Sequence, residues 1–172
     1  MISDSGFCNR MDIKKCNGTD LAPALHIYAE AREFMRSAGN VHQWVGGYPD
    51  EATVRADIAS GRLYGVWHNG ELIAVFYFHM GDDPTYAKIY EGSWKNDAPY
   101  GVIHRIAVAK SSHGMGVSGI CFDYCYKQCG NLRIDTHKDN IPMQKALLRS
   151  GFEYCGIIYL ASGDERIAYQ KT

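Results

Sequence analysis

An apolar, β-branched run, YGVIHRIAV at 100–108, leads into a stretch that holds Gly114, Gly116 and Gly119, and that stretch opens directly onto a helical pattern. Val117, Ile120, Cys121, Tyr124 and Cys125 recur at helical spacing, so a helix is expected to start at the loop. Glycine is costly inside regular structure and is used where backbone turns tightly or approaches something closely. A strand, a loop of exposed amides and a helix N-terminus in that order can cradle an anion. The first helical turn leaves N–H groups unpaired, and the macrodipole adds about half a positive charge there. The spacing is neither GxxxxGK[ST] nor GxGxxG. A plain strand–turn–helix joint would use the same residues, and the spacing alone leaves both readings open.

The rest of the pattern predicts one mixed α/β domain with a mainly antiparallel sheet. Residues 11–17 read as a first strand and 19–39 as a helix, with Thr19 or Asp20 as its cap, Pro23 in its first turn, and Leu21, Leu25, Tyr28 and Met35 as its apolar stripe. A short helix over 50–61 ends at Gly61. Residues 62–80 form a hairpin around Asn69-Gly70, the strongest turn signal in the chain. Segment 81–99 is irregular, with a candidate strand at 87–90. A strand over 132–137 precedes a helix over 140–152 with Pro142 near its start and Gly151 at its stop, and 153–160 with 166–171 close the chain as a hairpin across 162–164.

Composition narrows the function classes. With 172 residues, 46% apolar and 22% charged, the chain has enough material for one globular core. A net charge of −1 argues against nucleic-acid binding as the main function. No apolar run approaches the roughly 18–20 residues that span a bilayer, and the N-terminus lacks a signal-peptide core, so no membrane partner and a cytoplasmic location are expected. Residues 1–10 are expected to be an extension, disordered or vector-derived, ahead of a single domain at 11–172.

Cys121, Cys125 and Cys129 mimic a metal motif on a helix. At about 1.5 Å rise per residue the outer two lie roughly 12 Å apart, too far to share one zinc with bonds of about 2.3 Å. They are expected to be small buried residues of a reduced protein, and no metal is expected.

The glycine loop, read as His113-Gly114-Met115-Gly116-Val117-Ser118, is followed by the strand RIDTH and then by Asn140, a helix and Gly151-Phe152. This combination resembles the GNAT superfamily of acyl-CoA-dependent N-acyltransferases, over residues 11–171 in element order and 100–152 in motif. The resemblance implies a GNAT-like sheet with a splayed central strand pair. It implies acetyl-CoA as co-substrate, with the pantetheine arm along Ile106 and Val108 and the pyrophosphate on the amides of Gly114, Met115, Gly116, Val117 and Ser118, flanked by His113. Asn140 would hydrogen-bond the arm, with Met143 beside it; Lys145 and Arg149, one turn apart, would meet the nucleotide end or form a solvated helix face, and His137 would be a cofactor-side contact or a structural polar residue.

The activity implied is transfer of an acetyl group to a primary amine of a small molecule or peptide by direct attack on the thioester. The alternative is an acyl-CoA-binding sensor of the same fold without transfer. A backbone N–H near Val108 would polarise the carbonyl. His104, on the strand beside the splay, is the candidate base, because histidine titrates in the useful range; a bulge there could instead turn His104 inward and Arg105 outward. Three positions depart from the family pattern: His113 replaces Arg or Gln, Ser118 replaces Gly or Ala, and Leu147 stands where many members carry the Tyr that protonates the departing thiolate. An acceptor wall rich in Trp44, Tyr48, Tyr86, Tyr90, Trp94 and Tyr100, with Asp82, Asp83, Glu91 and Asp97, would suit an amine; surface packing, a dimer contact or a solvated loop would use the same residues. A monomer or homodimer is expected.

Overall fold

A computed structural model describes residues 10–172, so the expected extension lies outside the described residues except for Arg10. Seven strands form one sheet in the order β1-β2-β3-β4-β5-β7-β6. In chain order the elements are β1 (Met11–Lys15), α1 (Leu21–Ser37), α2 (Glu51–Ala59), β2 (Leu63–His68), β3 (Glu71–Met80), β4 (Gly101–Val108), α3 (Val117–Cys129), β5 (Leu132–Thr136), α4 (Ile141–Arg149), β6 (Glu153–Tyr159) and β7 (Glu165–Lys171). Every neighbouring pair of strands is antiparallel except β4–β5.

Local chemistry sets the boundaries. The β2–β3 turn has Asn69 and Gly70 at φ 52° and 83°, the left-handed pair that a two-residue hairpin requires. Asp50 caps α2 by accepting from the Thr53 amide at 2.9 Å. Asp20 occupies the N-cap position of α1, as expected, but its side chain makes no cap bond to that helix. A single 3-10 turn, Gly18–Asp20, precedes α1, and Asn17 caps that turn: its side chain accepts from Thr19 N while the Asp20 carboxylate accepts from Asn17 N. The expected strand at 87–90 shrinks to one bridge, Tyr90 to Ile157.

Alternation along the strands divides the core in three. On one face Phe76, Phe78, Ile103, Ile106, Leu132, Ile134 and Tyr169 pack with α3 and α4 residues Phe122, Cys121, Cys125 and Leu147. On the other face Val75 and Ala107 pack under α1, through Ala24, Ile27 and Tyr28. Segment 81–100 covers the remainder of that face, burying Tyr86 and Tyr100 against Val102, Ile158 and Ala168. Cys121 and Cys125 are thus core residues, with thiols raised by burial, and the Cys129 thiol donates to the carbonyls of Cys125 and Asn131.

Strand β4 is irregular in two places. It pairs with β5 only at Gly101↔Leu132 and Val102↔Arg133, and beyond Val102 the two strands part. Against β3, Tyr77 faces His104 and Val75 faces Ala107, so Phe76 alone opposes Arg105 and Ile106. This is a β-bulge, with Arg105 left-handed at φ 49°.

Candidate active site

The gap between β4 and β5 is the centre of the site. Ala109 N donates to Ile73 O at 2.8 Å across to β3. Successive amides of a strand point to opposite edges, so Val108 N–H points away from β3 and into the gap. A bulge without further support would be strained at Arg105. Two contacts hold it. The Tyr28 hydroxyl donates to Arg105 O at 2.9 Å, and burial pushes that phenol up in pKa, so it remains a donor. The Arg105 guanidinium forks onto both Asp57 oxygens at 2.8 Å and donates to the Tyr48 hydroxyl at 3.0 Å. The bulge falls one residue beyond His104. His104 therefore keeps the face of Val102, and Arg105 joins it on that side, toward α2, where Asp57 lies.

A cleft of about 670 Å³ runs from the gap over the glycine loop. Of the residues expected at the cofactor, Ile106, Val108, His113, Gly114, Gly116, Val117, Ser118, Asn140 and Met143 line it. Gly114 and Gly116 take φ 83° and 72°, and Gly116 is the N-cap of α3 without a side-chain cap. The amides of Val117, Ser118 and Gly119 have no carbonyl one turn back to bond; Ile120 N is the first to do so, at Gly116 O. Met115 differs, because its amide turns back to Ser112 O at 3.3 Å and its side chain is exposed. His113 packs edge-on against Phe34 and bonds Val108 O at 3.1 Å, which ties the loop to the strand end.

Lys145 and His137 do not line this cleft. Lys145 is on the exposed side of α4, whereas Arg149, one turn later, lines the cleft with Ser150. His137 is turned toward its own loop, with Nδ1 accepting from Asp139 N at 3.1 Å; burial, then the charges of Arg166 and others, holds it below the ordinary histidine value. Asn140 is committed twice, capping α4 through Met143 N at 3.2 Å and donating to Gln43 at 3.0 Å. Leu147 is fully buried in the core, and no tyrosine lines the cleft among the described residues. Ala31, Phe34 and Met35 of α1 supply a wall that the sequence reading did not assign; their i, i+3, i+4 spacing is the available signal.

On the other side of the gap is a cavity of about 530 Å³. His104 sits at its base. Its Nε2 is 2.8 Å from Asp83 Oδ2, and its Nδ1 is 4.0 Å from Asp135 Oδ1. Burial of Asp83 raises its pKa, but hydrogen bonds from His104 and Thr85 outweigh this and hold the carboxyl well below the usual range. Tyr86 donates to Asp135 at 2.7 Å; burial, then the Asp135 charge, keeps this phenol protonated. Of the expected aromatic wall, Trp44 and Tyr48 line the cavity. Tyr86 and Tyr100 belong to the core, Trp94 packs with them, and Tyr90 is on the surface. Asp82, Glu91 and Asp97 are exposed; Asp83 alone of the four acids reaches His104.

The split sheet thus carries unpaired helix-start amides on one side of the gap and an imidazole–carboxylate cluster on the other. Residues 25–152 match the model of the Acetyltransferase (GNAT) family. Among solved structures, a GNAT-family acetyltransferase from Streptococcus agalactiae is 30% identical, with 94% of each chain covered and a TM-score of 0.87. A GNAT-family acetyltransferase from Listeria monocytogenes is 18% identical, with 94% of each covered and a TM-score of 0.69. The ribosomal-protein-S18-alanine N-acetyltransferase from Escherichia coli is 17% identical, with 94% and 93% covered and a TM-score of 0.60. No curated protein matches the sequence at a significant level. The chain belongs to the GNAT acetyltransferase family, which uses acetyl-CoA as co-substrate. Among the described residues no helix is long and apolar enough to cross a membrane, and no group of three potential metal ligands occurs.

Proposed function

We propose that the protein transfers the acetyl group of acetyl-CoA to a primary amine of a small molecule or peptide, with His104 as the base. The observation that carries the reading is the His104 imidazole beside the open gap, one nitrogen held by Asp83 and the other facing the cavity near Asp135.

The amides of Gly114, Gly116, Val117 and Ser118 hold the pyrophosphate, since they are the unpaired donors at a helix N-terminus. The arm lies along Ile106 and Val108, with Asn140 and Met143 opposite. Val108 N–H, turned into the gap, donates to the thioester oxygen. The amine enters from the His104 side. Its nitrogen bonds to the acetyl carbon, the carbon–sulfur bond breaks with its electron pair on sulfur, and the amine proton passes to His104 Nδ1. The departing sulfur takes its proton from water, because Leu147 offers none.

Thiol release from acetyl-CoA over a panel of amines tests the reaction, and His104→Ala tests the base. Turnover should fall by at least about tenfold with acetyl-CoA affinity nearly unchanged. A variant with normal turnover per folded molecule would remove His104 from the mechanism.

A further inference from the structure

The acceptor cavity has a second charged end. Two arginines line it, and they differ in what they meet. Arg105 is neutralised by the bidentate pair with Asp57. Arg166, on β7, is 7% exposed, and its guanidinium donates to the carbonyl of its own neighbour, Glu165, at 2.9 Å. No carboxylate among the described residues lies within 4.0 Å of it. Asp164, on the adjoining turn, is bonded to the Ser162 hydroxyl at 2.8 Å, and Asp135 to the Tyr86 hydroxyl.

A guanidinium is a permanent cation with five donors in a planar fork. Withdrawing it from water without an opposing charge is costly, and the cost is recovered when an anion binds. Register places it on the working side of the sheet. Asp135 pairs with Ala168, and Arg166 is two residues from Ala168, so Arg166 and Asp135 share a face. Along that face, a lone guanidinium stands on β7 and an imidazole with two carboxylates stands toward β4. The cavity is therefore bipolar. His104 Nδ1 and Asp135 Oδ1, 4.0 Å apart, are too far to bond each other and leave room for a shared donor such as an ammonium.

We propose that the acceptor is an amino acid in the broad sense, a small molecule with both a primary amine and a carboxylate, and that Arg166 binds the carboxylate while the Asp83–His104–Asp135 end takes the amine. This rests on acetyl transfer being the reaction and narrows its acceptor. The bidentate fork sets orientation: with the carboxylate on β7, the amine of a correctly sized acceptor points back to the gap. An amine without the anion lacks this anchor and leaves the guanidinium without an opposing charge.

The test uses α-, β- and γ-amino acids, each beside its primary amide, with thiol release from acetyl-CoA and thermal shift as parallel readouts. In the wild type the preferred acid should exceed its amide by at least about tenfold in kcat/KM. In Arg166→Gln that ratio should collapse to within about twofold, through loss on the acid alone. Arg166→Lys, which keeps the charge and loses the fork, should retain part of the preference and covers the case in which the Gln variant does not fold. Equal use of acids and amides by the wild type would overturn the inference and leave acetyl transfer standing. No thiol release from any amine would overturn the transfer reading; the inference is then decided by heat stabilisation, which must favour acid over amide and lose that bias in the Gln variant.

Discussion

Tyr28 and Arg105, 77 residues apart, are joined by one hydrogen bond, from the Tyr28 hydroxyl to the Arg105 carbonyl at 2.9 Å. The bond ties α1 to the bulge of β4, where Arg105 holds a left-handed backbone. Tyr28 is fully buried, so no water replaces the donor if it is lost. Tyr28→Phe should cost about 1–3 kcal/mol, the usual penalty for an unsatisfied buried acceptor, read by urea unfolding with an unchanged slope. A loss under about half a kcal/mol would show that the bulge is held elsewhere.

Asp57 and Arg105 form the second tie, with side chains 8% and 15% exposed. Removing one partner strands the other charge. Asp57→Ala should destabilise by about 3–5 kcal/mol, whereas Asp57→Leu combined with Arg105→Met should lose clearly less, because neither charge remains. A double variant weaker than the single one would mean that the ion pair itself stabilises the bulge.

Gly116 carries the cradle at φ 72°, and a Cβ there would meet nothing within 4 Å. Its substitution is thus a test of backbone, free of any clash in the protein itself. Gly116→Ala should cost about 1–2 kcal/mol of stability through the left-handed conformation. Acetyl-CoA affinity should fall at least about tenfold, because a shifted N-cap turns the Val117 and Ser118 amides. Calorimetry that finds unchanged affinity in the folded variant would remove the pyrophosphate from this loop.

Asp83 predicts an acid dependence. Its carboxyl is held below its unfolded value, so the stability it lends is complete above the ordinary carboxylate range and is lost as pH falls through the folded value. Between about pH 4 and pH 2 the wild type should therefore lose stability more steeply than Asp83→Asn, as followed by melting temperature. Parallel slopes would mean that the Asp83–His104 bond contributes nothing to folding.

The parts visible in the sequence are those fixed by neighbours in the chain. Asn69-Gly70 and the glycines at 114 and 116 act through local backbone conformation, which residue type reports. The partners of His104 were invisible because Asp83 and Asp135 come from a loop and another strand, and only folding brings them together. Arg166 read as an ordinary strand residue for the same reason: what sets it apart is the carboxylate it lacks, and pairing has no sequence period. The candidate strand at 87–90 forms a single bridge, Tyr90 to Ile157. Beside that bridge Tyr90 O approaches Gly156 so closely that a Cβ there would sit 2.5 Å from it, so the approach depends on a glycine, at φ 151°.

The two sides of the gap are written in different materials. The cradle is made of main-chain amides, which every residue but proline supplies, so the phosphate contact proposed for it does not depend on the identity of the surrounding side chains. The acceptor cavity is made of Trp44, His104 and Arg166, each one codon away from a different chemistry. On the proposed assignment, a single substitution in that cavity changes which acceptor fits while leaving the donor side as it is.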